Sequence, residues 1–342
     1  MPSLRAGGAE GVIVRLANGL AEKAFIVQIA LTKWNEIQYS LNESINISYI
    51  GIENASAIQQ IRFIRSMMKQ NSSQIVISFI TMQNLYTILA AWGVKSKIIL
   101  SERNDPSKTV RNKILKWLRD ILYLRADNIV FQTQDAQNYF KKSIRDKGVV
   151  IGNPLSKDMP PRHEGVREKR LVTVARLEPQ KNIPMLLDVC KNVIAKHPDF
   201  KLEIYGVGNL EQELKEYSES IGIAESVTFM GYVDNIPEKI RTATAFLLTS
   251  DYEGISNAML EALAVGLPCI CTDCPIGGAR TYIQSMQNGI LVPVRDKDKF
   301  TEAVLKIIED KDLQENLGNK ASAITDKLSI DKILEKWISL FE

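Results

Sequence analysis

Residues 245–272 read AFLLTSDYEGISNAMLEALAVGLPCICT, and this stretch decides the fold. An apolar run, Ala245–Leu248, leads into a polar loop. The loop opens a helix that ends near Gly266, and Cys269–Thr272 is a second apolar run. Near-continuous apolar strands joined through helices indicate a parallel sheet covered on both faces.

The same alternation extends outward. Downstream comes Ile290–Val292, and upstream come Val227–Met230, Leu202–Gly206 and Leu171–Ala175. Beyond a break lies an earlier series at Phe25–Leu31, Ile45–Ile50, Gln74–Ile80, Lys97–Leu100, Asn128–Gln132 and Val149–Ile151. The break, Asn153 to Arg170, holds Pro154, Pro160 and Pro161 and a mixed-charge run without periodicity, as a linker does. The expectation is an α/β chain of two doubly wound domains, 1–152 and 153–329. The start is anomalous. A doubly wound domain opens with a strand leading into its first Gly-rich loop, yet Gly7-Gly8 comes almost at once. A first strand therefore reads as missing, which would weaken the N-terminal domain. Behind Gly7-Gly8, Ile13, Leu16, Ala17 and Leu20 follow helical spacing.

Composition narrows the function. The 342 residues are 45% hydrophobic and 24% charged, as in ordinary globular proteins. The net charge of +3 argues against a dedicated nucleic-acid binder. No apolar stretch is long enough to span a membrane, and no secretory signal opens the sequence. Three of the four cysteines fall within six residues, which is no disulfide framework, so the reading is a cytoplasmic protein.

The chemistry concentrates after the strands of the second domain. Glu253 falls in the loop after Ala245–Leu248, and Glu261 about two turns into the helix. The intervening residues, Gly254, Ile255, Ser256 and Asn257, present backbone N–H groups at a positive dipole end, suited to a phosphate. The two carboxylates can accept hydrogen bonds from sugar hydroxyls. A plain surface loop with ordinary helix charges is the alternative for this segment alone. Arg176 and Lys181, in the loop after Leu171–Ala175, emerge at the same sheet edge and suit a diphosphate. Gly206 sits at a Gly-rich strand end, and Tyr232 and Val233 follow another strand, where backbone contacts can frame a base.

Together these residues resemble the retaining glycosyltransferases of family 4, which have the GT-B fold. The paired-glutamate motif matches at Glu253 and Glu261, the diphosphate clamp at Arg176 and Lys181, and the N-terminal Gly-Gly loop at Gly7-Gly8. Gly266-Leu267-Pro268, Gly277-Gly278 and Asn288-Gly289 have the family look as well. The resemblance implies a hexose or N-acetylhexosamine passing from a nucleotide sugar, UDP first, to a lipid-linked or growing glycan in bacterial polysaccharide biosynthesis. Glu261 would hold the ribose, Glu253 the donor sugar, and Arg176 and Lys181 the departing diphosphate. No metal or other cofactor is implied. The N-terminal domain would bind the acceptor, the cleft between the domains would be the active site, and a final helix over 330–342 would pack back on the N-terminal domain.

Many members carry a histidine in the N-terminal domain, but the two here, His163 and His197, lie in the linker and at a helix end. The corresponding loop is Ser101-Glu102-Arg103-Asn104-Asp105-Pro106, where Arg103 or Glu102 takes that place. A Pro-terminated turn capping the next helix is the other reading of this loop. Lys95–Arg125 carries nine Lys or Arg against three acids. Its apolar residues Val110, Ile114, Trp117, Leu118, Ile121 and Leu122 suit either docking on an anionic membrane or a lipid diphosphate, or a core helix with a solvated basic face; the resemblance places any such membrane docking at the cytoplasmic face.

Three patterns carry no site. Cys269-x-Cys271-x-x-Cys274 reads as strand alternation without a fourth metal ligand. Asp296-Lys297-Asp298 reads as a helix cap. Gly206-x-Gly208 is too short for a dinucleotide fingerprint. Two rival functions share the architecture. A nucleotide-sugar epimerase would turn over without an acceptor, and a non-catalytic binder would hold donor without turnover.

Overall fold

The computed structural model describes all residues except 5–6, 34–36, 38 and 71–73. The chain divides into two compact units, Met1–Ser156 with Leu328–Glu342, and Lys157–Lys327.

The second unit is one six-stranded parallel sheet. Its strands are β7 (Glu168–Val174), β8 (Lys201–Tyr205), β9 (Val227–Gly231), β10 (Ala243–Leu248), β11 (Cys269–Thr272) and β12 (Ile290–Val292). Their order is β12-β11-β10-β7-β8-β9. The central strands β10 and β11 are buried at every position, which is why they read as unbroken apolar runs. The edge strand β9 alternates between half-buried and exposed residues. The Ile183–Lys196 and Lys297–Glu309 helices pack together over one face, burying Leu186, Leu187, Cys190, Phe300 and Val304 with Leu202 and Leu247 of the sheet.

The first unit holds two parallel ladders. One pairs β1 (Gln28–Leu31) with β2 (Asn46–Tyr49). The other runs β3 (Ile75–Phe79), β4 (Lys97–Ser101), β5 (Asn128–Phe131), β6 (Gly148–Val150) in sequence order. No described strand joins the two ladders. Met1 and Pro2 run beside β1, with Met1 N donating to Ala30 O at 3.2 Å and Thr32 N donating to Met1 O at 2.9 Å.

Gly7 caps the Gly8–Glu22 helix, whose buried face holds Val12, Ile13, Leu16, Ala17 and Leu20. The C-terminal Ile330–Ile338 helix packs on it. Gly19 permits that approach, because a Cβ there would collide with the Leu334 side chain. Trp337 of the same helix is fully buried and stacks on Phe79 at 5.7 Å. Among the described residues no helix is long and apolar enough to cross a membrane.

Candidate active site

The strand order of the second unit reverses between β7 and β10. From β7 the chain proceeds through β8 and β9 on one side, then returns to β10, β11 and β12 on the other. Ligands of open α/β sheets bind beyond the carboxyl ends of the strands at such a switch point. The loops that leave β7 and β10 there hold Arg176, Lys181, Glu253 and Gly254.

The two loops are tied together. Asp251 N donates to Gln180 O at 2.9 Å, and Gln180 Nε2 donates to Tyr252 O at 2.8 Å. Thr249 Oγ1 donates to Lys181 O at 3.0 Å, and Asn182 Nδ2 donates to Asp251 Oδ1 at 3.1 Å. Asn182 has a left-handed backbone (φ 48°), which turns the chain out of a 3-10 turn over Pro179–Lys181 and into the following helix. Inside this frame Lys181, only 9% exposed, donates to Glu253 Oε2, and Ser250 Oγ donates to the same oxygen at 3.2 Å. A cation and a carboxylate thus lie side by side at the switch point.

Arg176 stands apart from that pair. Its guanidinium is largely exposed and donates to Glu178 at 2.9 Å. Glu261 lies in the second turn of the Asn257–Ala264 helix, half-buried. Ser256 caps this helix, its Oγ accepting from Met259 N at 3.3 Å, and Gly254, Ile255 and Ser256 are buried at the helix entrance. The dipole end at this loop favours an anion.

Backbone approaches set the shape of the crevice. A Cβ on Gly206 or Gly208 would strike the carbonyls of Ala175 and Leu177, so the loop after β8 lies directly on the Arg176 loop. Gly206 also has φ +130°, which only glycine adopts without strain. Gly278 meets Gly254 O in the same way, pressing the 276–279 turn onto the Glu253 loop. Tyr232 is exposed and Val233 half-buried, just beyond Gly231 at the end of β9.

Sequence reasoning missed Asp251, Asn182 and Arg295. Arg295 Nε donates to Asp251 Oδ1 at 3.0 Å and its NH2 to Oδ2 at 2.6 Å. Asp251 and Asn182 stand in the segments singled out, but nothing in their spacing shows that they bond to each other.

In the first unit, Gly7 N donates to the Tyr39 hydroxyl at 3.0 Å, and that hydroxyl donates to Gly7 O at 2.9 Å. Arg103 donates to Asn153 Oδ1 at 2.7 Å, and its guanidinium lies over the Phe79 ring at 4.6 Å. Glu102 is 1% exposed and lies inside the unit, while Arg103 is half-buried, with its guanidinium Nε and Nη2 held in the interior. Glu102 accepts from Tyr123 Oη and from Thr81 Oγ1 (3.0 Å), while Asn84 donates to Tyr123 Oη at 3.1 Å. Burial outweighs these bonds and holds the Glu102 carboxyl above the usual carboxylate range. Asp105 caps the Pro106–Thr109 helix, accepting from Ser107 N at 2.8 Å, so the Pro-terminated cap is present in this loop.

His163 and His197 both lie in the second unit, His163 against Val166 O and His197 against Glu309. The four cysteines are free and buried, and burial pushes the Cys190 and Cys274 thiols up to about 12. Asp296 caps its helix, accepting from Lys299 N at 3.0 Å. Among the described residues no group of His, Cys, Asp and Glu is placed to hold a metal.

Residues 157–323 match the family model described as glycosyl transferases group 1, which is nearly the whole second unit. That unit resembles members of this family along nearly all of its length. Over 99% of its length the chain is 25% identical to an N-acetylgalactosaminyltransferase of Campylobacter jejuni, covering 96% of it. That enzyme is named for a glycan on diphospho-undecaprenol. The structure of Anabaena HepE with UDP and glucose superposes with a TM-score of 0.86 at 16% identity, over 99% of this chain and 97% of that one. Staphylococcus aureus TarM gives 0.72 at 20% identity over 82% of this chain, which spans 59% of its length. The chain has the GT-B fold and is a glycosyltransferase, similar to bacterial enzymes that build polysaccharides.

Proposed function

We propose that the chain is a retaining, metal-independent transferase that takes a hexose or N-acetylhexosamine from a UDP-linked donor. The acceptor is a lipid-linked glycan in bacterial polysaccharide assembly, presented at the cytoplasmic membrane face. The observation that carries this reading is the Lys181–Glu253 pair at the switch point, beside the capped entrance of the Asn257–Ala264 helix. The donor carries a diphosphate and a sugar, and this corner offers a cation and helix-end amides for the first and a carboxylate for the second. The C. jejuni relative's lipid-linked acceptor and the UDP and glucose bound to HepE support the choice of partners.

The reaction breaks the bond between the anomeric carbon and the diphosphate oxygen. A bond from the acceptor hydroxyl oxygen to the same face of that carbon forms, and the hydroxyl proton passes to the departing diphosphate. Negative charge grows on the diphosphate, where Lys181, Arg176 and the 254–257 amides stabilise it. Lys181 exchanges some of its contact with Glu253 for the diphosphate, which frees Glu253 for the sugar hydroxyls. Glu261 holds the ribose.

The test is a transfer assay with a panel of UDP-sugars and an undecaprenyl-diphosphate glycan, with and without EDTA, with the product's anomeric configuration read by NMR. Transfer with retention in EDTA is expected. An inverted product or loss of transfer in EDTA overturns the mechanism. Interconversion of free UDP-sugars without acceptor replaces the transferase with an epimerase.

A further inference from the structure

The ladder between β10 and β11 ends at the pair Leu248 and Cys271. Beyond it the chain leaves β10 through Thr249 and Ser250 and enters the Glu253 loop. Ser250 is fully buried there. A buried carbonyl oxygen needs donors, and its two lone pairs can take two of them. Side chains from the neighbouring segment supply both. Thr272 Oγ1, at the last position of β11, donates to Ser250 O at 2.6 Å, and Cys274 Sγ donates to the same oxygen at 2.9 Å.

Ser250 passes this restraint on. Its Oγ donates at 3.2 Å to Glu253 Oε2, the oxygen that Lys181 also contacts. Thr272 is fully buried and Cys274 only 2% exposed, so water does not stand in for either donor. Burial pushes the Cys274 thiol up to about 12, so it keeps the proton it donates. Its own main chain is fixed on both sides: Cys274 N donates to Thr272 O at 3.0 Å, and Arg280 NH2 donates to Cys274 O at 3.2 Å. A buried hydroxyl at the end of an otherwise apolar strand costs stability unless it is bonded, and packing alone would be served by valine.

We propose that Thr272 and Cys274 are positioning residues for sugar transfer. By holding the Ser250 carbonyl they aim the Ser250 hydroxyl, and through it the Glu253 carboxylate, at the donor sugar. The proposal rests on the reading of Glu253 as the sugar contact. It explains how Glu253 keeps its place when Lys181 turns to the diphosphate, because Ser250 holds the same oxygen.

The test measures kcat and the UDP dissociation constant, with the UDP-sugar and undecaprenyl-diphosphate glycan that the wild type uses, well below each variant's melting temperature. Thr272→Val keeps the shape and loses the donor, so kcat should fall roughly tenfold while UDP affinity stays within about twofold. Thr272→Ser, which keeps the hydroxyl, restores most of that turnover. Cys274→Ala removes the weaker donor and lowers kcat about threefold. It carries the test alone if Thr272→Val does not fold. In a Ser250→Ala chain, Thr272→Val costs no further turnover, because the relay is already cut. Full turnover in folded Thr272→Val or Cys274→Ala overturns the proposal. So does an undiminished Thr272→Val loss in the Ser250→Ala chain, or a parallel loss of UDP affinity, which marks a collapsed corner and not a misaimed carboxylate. Glu253→Ala separates the two readings. Full turnover there overturns the sugar contact and this proposal with it, whereas a loss there with none in Thr272→Val overturns this proposal alone.

Discussion

The two units solve the same architectural problem differently. The second has one continuous sheet with an apolar centre, and polar ties gather where its strands end. The first has two ladders and carries a buried polar cluster, Asn84, Glu102 and Tyr123, in its interior. Its outer face presents the apolar stripe of the Lys113–Tyr123 helix. Rigid, cross-tied loops suit a ligand of fixed shape such as a nucleotide diphosphate. A unit with internal polar bonds and an apolar exterior suits a ligand that arrives on a surface.

The comparison breaks most readily at the glycine approaches. Gly278→Ala drives a Cβ into Gly254 O, and Gly206→Ala combines a clash with a forbidden φ. Each should cost about 3 kcal/mol, read as a drop of several degrees in the melt of the second unit and loss of UDP binding. An unchanged melt would mean that the loops are not held by these contacts.

Lys181→Ala comes next. It leaves the partly buried Glu253 without its cation and removes charge from the diphosphate, so turnover should fall roughly a hundredfold or more. Arg176→Ala is the paired control. Its surface contact with Glu178 contributes at most about 1 kcal/mol to stability, so a fall in kcat without a shift in melting marks a role in turnover. Full activity would confine the clamp to Lys181.

The Glu102 cluster gives a smaller effect with a defined sign. Its folded pKa lies above its unfolded value, so between the two the folded chain binds more protons. That contribution to stability is present at low pH and is lost as pH rises from the ordinary carboxylate range through the raised value. Glu102→Gln should flatten this slope in urea melts taken across that range. A slope unchanged by the substitution would assign the pH dependence to other groups. The smallest effect is expected for Arg295→Ala, whose exposed guanidinium holds Asp251. A loss of about 0.5 kcal/mol or less follows, with UDP affinity retained.

Much of this contrast was legible beforehand, and for a physical reason. Each of the twelve strands overlaps an apolar run, most completely β10 and β11, which are buried at every position. The start of β7 at Glu168 was missed because its first three residues are charged and reach outward, Arg170 pairing with Glu203 and Lys169 with Asp199. Lys181 and Glu253 could be singled out in their loops, but not their direct pairing, which depends on the order of β7 and β10 across the sheet. The Gly206-x-Gly208 spacing was a poor guide to any cofactor, and its reason is steric contact with a distant loop. Over residues 113–123 periodicity reveals two stripes without saying which faces inward. The buried Arg119 inverts the usual assignment, and Val110 leaves the stripe altogether, buried in an extended link between two helices.

The Gly278–Gly254 approach has a consequence for engineering. The contact that presses the 276–279 turn onto the Glu253 loop involves main chain on both sides, so the side chains around it are free to vary without changing its spacing. A library that diversifies Asn257, Tyr232 and Val233 while fixing the two glycines would test the proposed donor contacts on a constant frame. New specificities should then appear as altered side-chain contacts on an unmoved backbone.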